Sequence, residues 1–195
     1  GIPELFEPYA PLAWPGFVKS PAPYALRDRG SDTEENLVRR CADMLADAVR
    51  KEDPETVAAI ILEPCLSSGG IIIPPLGWLE RVRDICDELE VLMIPDEVIT
   101  GFGRTGRWFA VEHERVVPDL MTVAKGITSG YVPLSAAIAR SHIADAFDEK
   151  SHEENVHPNT YCGHPVACAA ALANIAILER ENLVANSARM GERLR

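Results

Sequence analysis

No apolar run in this 195-residue chain is long enough to cross a membrane, and no Cys-x-x-Cys pair occurs in it. The first absence argues against a membrane-spanning partner role. The second, with an odd number of cysteines (Cys41, Cys65, Cys86, Cys162, Cys168) set in apolar patterns, argues against a disulfide framework or a zinc ribbon. Reduced, mostly buried thiols in an intracellular, cytoplasmic protein are the expectation. Basic residues are also scarce, 19 Lys and Arg against 30 Asp and Glu, for a net charge of −11. Nucleic-acid binding needs clustered positive side chains and is not expected. His113, His142, His152, His157 and His164 show no ligand spacing, so no metal site is expected either. Neither an internal repeat nor a low-complexity linker is present, which leaves one domain or most of one.

What is present is an ordinary globular composition, 47 % apolar and 25 % charged, with the length to build a core. Residues 1–30 are rich in proline and carry no strong period. Ser31-Asp32-Thr33-Glu34 then has the form of a capping box, and Leu37, Cys41, Met44, Leu45, Ala48 and Val49 fall on one helical face. The continuous apolar run Val57 to Leu62 reads as a strand buried on both faces, ending in Glu63-Pro64 and a loop with Gly69-Gly70. A helix through Leu79, Val82, Ile85, Cys86 and Leu89 leads to a strand ending at Ile94. A further strand ends at Ala124, another run spans Leu134 to Ala139, and an Ala-rich helix runs from Pro165 to Glu181. Strand and helix in alternation imply an α/β domain with a largely parallel sheet.

Two charged residues stand out by position. Asp96 follows the apolar run Val91 to Pro95, and Lys125 follows Leu120 to Ala124. Each sits at the C-terminal end of a predicted strand, where open α/β sheets hold their ligands. Either one alone reads as a helix cap or a solvated surface charge. Together they suggest a ligand between them, because a buried acid or amine must be matched. Burying the amine would also favour its neutral, nucleophilic form. An amine able to form a Schiff base and an acid able to pair with a pyridinium nitrogen are the two protein groups that pyridoxal phosphate (PLP) chemistry requires.

Gly101-Phe102-Gly103-Arg104-Thr105-Gly106 spells G-x-G-x-x-G, yet it does not read as a dinucleotide site. That fingerprint opens a helix and precedes an acid by about 20 residues. Here Arg107-Trp108-Phe109-Ala110-Val111 is aromatic and strand-like, and Asp96 already closes the preceding strand. Arg104 and Arg107 are expected to order the loop.

The run Asp96-Glu97-Val98-Ile99-Thr100 into that glycine loop, then Pro118-Asp119, Ala124-Lys125-Gly126 and Thr160-Tyr161-Cys162-Gly163-His164-Pro165, resembles the class III (ornithine and ω-amino acid type) PLP-dependent aminotransferases. Glu63-Pro64 with Gly69-Gly70 matches an upstream element of that family. The likeness runs from about residue 57 onward, with a looser match before it. It implies the large domain of a fold-type I PLP enzyme, an α/β fold whose mostly parallel sheet has helices on both faces. Lys125 would hold PLP as a Schiff base and then move the proton between substrate and cofactor carbons. Asp96 would keep the ring nitrogen protonated, Val98 would pack on a ring face, and Glu63 would support the Asp96 side of the pocket. Thr160 would bind the cofactor phosphate of a neighbouring subunit, which makes a homodimer part of the site. Taken without the family pattern, Val98 reads as core and Thr160 as a turn hydroxyl.

Two departures from the ornithine-type pattern bear on the substrate. Ile99 stands where those members carry Gln, and Ser68 stands where they carry a Glu that parks a substrate-binding Arg. Both point to the ω-amino acid or amine:pyruvate branch. The implied reaction is ping-pong transfer of an amino group from an amine or ω-amino acid to a 2-oxo acid such as pyruvate. A class III aminomutase or racemase would use the same residues, and a PLP-free structural homologue would keep the fold alone. The chain opens without Met and stops in a helical pattern, as an internal piece of a longer protein would. On that reading residues 1–195 are part of the PLP-binding large domain. The family's phosphate loop would then precede residue 1, and its small domain would follow residue 195.

Overall fold

The structure is a computed structural model, and it describes residues 7–12, 15–147 and 159–194. Six α-helices are found among them: α1 (Ala25–Asp28), α2 (Glu34–Lys51), α3 (Trp78–Glu88), α4 (Ser141–Ala144), α5 (Pro165–Arg180) and α6 (Leu183–Leu194). The strands are β1 (Ala59–Leu62), β2 (Leu92–Pro95), β3 (Leu120–Val123) and β4 (Ala136–Ala139). The mixture is α/β, as the alternating pattern implied. The chain divides into two compact units, Gly1–Leu92 and Met93–Arg195.

In the first unit α2 and α3 pack together over a shared apolar core. Helix α2 buries Leu37, Val38, Cys41, Ala42, Leu45, Ala46 and Val49, which recur at helical spacing. Met44, placed on that face by its sequence position, is half exposed instead. The helix is capped by Thr33, whose hydroxyl accepts from the Asn36 N–H at 3.1 Å, two residues beyond the expected Ser31. Asp32 takes the supporting role by accepting from Asn36 Nδ2 at 2.8 Å. Helix α3 answers with Trp78, Leu79, Val82, Ile85 and Cys86, and Arg50 pairs with Glu88 across the two helices at 2.7 Å.

Strand β1 is not buried on both faces, because Ile61 is 58 % exposed. Its neighbour Ala58 accepts a hydrogen bond from Leu92 N–H at 3.1 Å. Beyond β1 the chain folds back between Leu66 and Ile72, an antiparallel bridge closed through Gly69 and Gly70. The cysteines are free, and burial pushes the Cys41 and Cys65 thiols up, so both stay protonated near neutral pH. Cys162, by contrast with the expectation of mostly buried thiols, is exposed.

The second unit is organised around β3. Glu97 N–H donates to Thr122 C=O at 2.9 Å, and Asp96 and Thr122 form a parallel bridge. On its other side β3 pairs antiparallel with β4, Leu120 opposite Ala139 through Val123 opposite Ala136. Thus β3 has one parallel and one antiparallel neighbour. Asp119 stitches the start of this arrangement, since its Oδ2 accepts from Met93 N–H at 2.8 Å and its backbone accepts from Arg140 N–H at 3.0 Å. The segment after the glycine loop is not a strand. Residues Ala110–Glu114 form a 3-10 turn, because the Glu97 carboxylate claims the Val111 N–H at 2.9 Å. Among the described residues no helix is long and apolar enough to cross a membrane.

Candidate active site

The parallel contact between Asp96 and Thr122 sets the geometry of the rim. Asp96 follows the last residue of β2, and Lys125 comes two residues after the last residue of β3. Because these strands run parallel, both groups emerge at the same C-terminal edge. Both residues singled out by position therefore lie at that edge.

Asp96 is half buried, and its Oδ1 accepts from the Val98 N–H at 3.0 Å, a turn that fixes the carboxylate against its own loop. Oδ2 has no partner among the described residues. Lys125 is exposed and its amine is likewise unpartnered there. The desolvation expected of a buried lysine is therefore not supplied by the described residues. Its backbone is unusual, with φ at +39°, a region that non-glycine residues rarely occupy. Strain of this kind gathers at functional sites, where surrounding contacts hold it in place.

Those contacts are visible. Asn174 in α5 donates from Nδ2 to the Gly126 and Ile127 carbonyls at 2.9 and 3.1 Å, and accepts from Ser129 Oγ at 2.6 Å. It thereby clamps the turn that carries Lys125. Thr128 closes the same turn by donating to the Val132 carbonyl at 2.6 Å. A Cβ on Gly126 would lie 3.1 Å from Phe102 Cβ, so the glycine lets the Lys125 turn rest on the glycine loop.

The G-x-G-x-x-G motif is a packing device. A Cβ on Gly101 would meet the Glu97 carbonyl at 2.9 Å, and one on Gly106 would sit 2.8 Å from Ala188 Cβ in α6. Gly103 is similarly close to Val184. Phe102 stacks edge-on against Phe109 with centroids 5.6 Å apart. Arg104 and Arg107 are exposed, and neither guanidinium has a partner among the described residues, so the loop is ordered without them.

Glu97 was not singled out by the sequence reading, and it is the buried hub of this loop. It is fully buried, its Oε1 accepts from Val111 N–H, and its Oε2 accepts from the Thr100 hydroxyl. Asn174 was also missed; an amide inside an otherwise apolar Ala-rich helix was the available signal.

The remaining assigned residues lie as follows. Val98 is half buried, directly after the rim. Glu63 belongs to the first unit, where its Oε2 accepts from the Ser67 N–H at 3.0 Å and holds the turn after β1. Thr160 is exposed on a turn pinned by Asn159, whose Oδ1 accepts from Tyr161 N–H at 3.0 Å. Its hydroxyl has no partner among the described residues.

Comparison with known proteins gives a consistent answer. Residues 4–195 match the family model for class-III aminotransferases. The taurine–pyruvate aminotransferase of Bilophila wadsworthia is 40 % identical over 191 residues, 95 % of this chain and 41 % of that protein. The beta-alanine–pyruvate aminotransferase of Pseudomonas aeruginosa is 46 % identical over 153 residues, 76 % of this chain and 34 % of that one. The solved (S)-enantioselective omega-transaminase from Thermomicrobium roseum superimposes with a TM-score of 0.94 at 42 % identity, covering all of this chain and 43 % of its own. The chain thus spans about two fifths of the length of these relatives. Likeness of sequence and of fold over nearly every residue shows that the chain belongs to the class-III aminotransferases.

Proposed function

We propose that this chain forms part of the PLP-binding large domain of an aminotransferase that moves an amino group from an amine or ω-amino acid to a 2-oxo acid such as pyruvate. One observation carries the reading: an acid and an amine, both with polar atoms that have no partner among the described residues, stand at the same edge of two adjoining parallel strands. The residues fit PLP, since the free Asp96 oxygen suits a ring N–H and the free Lys125 amine suits an aldehyde. When bound, PLP supplies an electron sink for the carbon that loses its proton.

This chain's own residues do the rest. Lys125 Nζ would hold the cofactor covalently and, once the substrate amine had displaced it and freed its lone pair, would carry the proton away from the carbon beside the substrate nitrogen. The strained turn clamped by Asn174 holds that nitrogen at the rim. Asp96 accepts a hydrogen bond from the ring nitrogen and keeps it protonated. Val98 gives the ring an apolar flank and excludes water from one face. Glu63, whose carboxylate holds the Ser67 turn, is assigned to the cofactor-binding set by the family pattern alone. Thr160, exposed and with no partner for its hydroxyl among the described residues, would reach the cofactor phosphate of a second copy in a homodimer. In the whole, cytoplasmic protein, β2 and β3 belong to a mostly parallel sheet with helices on both faces.

Ile99 and Ser68, in place of the ornithine-type Gln and Glu, support the amine:pyruvate side of the family. Two of the relatives above are named for pyruvate, which agrees with that choice. The test is borohydride reduction of the whole protein after PLP addition, with mass mapping of the modified residue. Modification at Lys125, together with turnover of an ω-amine and pyruvate, is expected. Strong activity with ornithine and none with any ω-amine would sink the substrate assignment, and modification at another lysine would sink the site.

A further inference from the structure

Thr122 presents a problem that the proposed reaction does not use. Its Oγ1 is buried and has no hydrogen-bond partner among the described residues. Buried hydroxyls are almost always paired, so an orphan of this kind calls for an explanation. In a sheet, residues directly opposite each other point to the same face. The four nearest same-face neighbours of Thr122 are Asp96 just after β2, Ala137 on β4, Leu120 on its own strand and Ala124 just beyond that strand's end. Three of these are apolar. Of the four, Asp96 alone carries a side-chain acceptor, and its Oδ2 is the oxygen without a partner among the described residues. Neighbouring strands lie about 4.8 Å apart, within range for two such side chains to meet after a small rotation.

We propose that Thr122 is a positioning residue that donates its hydroxyl to the Asp96 carboxylate when the cofactor ring occupies the rim. Asp96 then divides its two oxygens between the ring nitrogen and Thr122. The hydroxyl fixes the plane of the carboxylate and directs it at the ring. Before the ring arrives, the Val98 N–H holds the carboxylate turned back onto its loop, and Thr122 waits unpaired. This rests on the reading of Asp96 as the ring-nitrogen partner.

Thr122→Val tests it, since Val keeps the shape and strand preference of Thr and removes only the hydroxyl. Three quantities are measured on the whole protein: borohydride trapping at Lys125 in the parent, the PLP dissociation constant, and the melting temperature without cofactor. The expected result is trapping in the parent and a PLP dissociation constant raised about tenfold in Thr122→Val, the scale of a hydrogen bond to a charged group. Melting of the cofactor-free variant should be equal to or above the parent's, because an unsatisfied hydroxyl has been removed. Thr122→Ser should recover most of the lost affinity. In Asp96→Ala, which leaves no acceptor at that position, adding Thr122→Val should weaken PLP much less than it does in the parent. Parent-like affinity in Thr122→Val, alongside normal trapping in the parent, would overturn this inference and leave the function standing. A lower melting temperature without cofactor would also overturn it, since the hydroxyl would then already serve the fold. Failure of the parent to trap PLP on Lys125 would overturn the functional reading and this inference with it.

Discussion

Helices α2 and α5 treat their apolar residues in opposite ways. Helix α2 turns Leu37, Val38, Cys41, Leu45 and Val49 onto α3 and buries them. Helix α5 buries only Ala167 and Ala171, while Val166, Leu172 and Ile177 stay exposed at 59, 70 and 39 %. The charged groups divide similarly. Glu97 is fully buried and both its oxygens are engaged, whereas among the described residues Asp96 beside it keeps one oxygen open and the Lys125 amine has no partner. Side chains whose surroundings the described residues complete serve the fold. Those left incomplete are available to something else, which at the β2–β3 rim is the ligand proposed above.

This division predicts that the two classes fail differently when substituted. Lys125→Ala should have the largest effect on function. Loss of proton transfer alone is worth about 10²–10⁴ in rate, and loss of the covalent anchor comes on top. Yet an exposed, unpartnered side chain contributes little to stability, so melting should stay close to the parent's. Turnover assays and thermal melts of one preparation separate the two. Near-normal turnover, or a melting drop as large as that of a core variant, would break the comparison.

Leu37→Ala is the reciprocal case. Leu37 is fully buried between the helices of the first unit, and its removal should cost about 2–5 kcal/mol through lost burial and a residual cavity. Urea titration of the cofactor-free protein gives the value. Gly106→Ala should cost less, about 1–3 kcal/mol. The new Cβ would meet Ala188 Cβ at 2.8 Å from a backbone with φ at +85°. Gly130→Ala is its control, because φ is +80° there but a Cβ meets nothing within 4 Å. The difference between these two variants isolates the packing role of the glycine loop, and equal costs would deny it.

Much of this contrast was legible in the sequence where the signal was local. The helical spacing of Leu37, Cys41 and Val49 located α2, and charged residues after apolar runs located Asp96 and Lys125. The glycine motif, read as something other than a dinucleotide loop, packs its glycines against Glu97, Val184 and Ala188. What escaped depended on long-range contacts. Glu97 looked like the middle of a motif, since nothing local says that Val111, 14 residues on, needs its carboxylate. The same bond turned the expected strand at Phe109 and Val111 into a 3-10 turn. Lys125 seemed buried because its run is apolar, but the chain turns outward two residues after β3 ends. Thr160, Glu63 and Val98 carry no local signature of ligand binding, and only the family pattern picks them out.

The smallest expected effect sharpens the comparison at the surface. Asp32 is a satisfied acid, the opposite of Asp96. The hydrogen bond from Asn36 Nδ2 holds its carboxyl below the ordinary 3.8, with help from the Thr33 N–H and from Arg40 and Arg39. A lowered native value means that folding favours the ionised form. The contribution to stability is therefore present above the ordinary value and is lost as pH falls through the lowered native one. Carboxyl NMR should place the Asp32 midpoint below 3.8, and in Asn36→Ala the midpoint should return toward it, because the largest cause has gone. A midpoint at or above 3.8 in the parent would show that the hydrogen bonds at the start of α2 are not held in solution. The α2 end would then belong with the incompletely satisfied groups, as the Asp96 rim does.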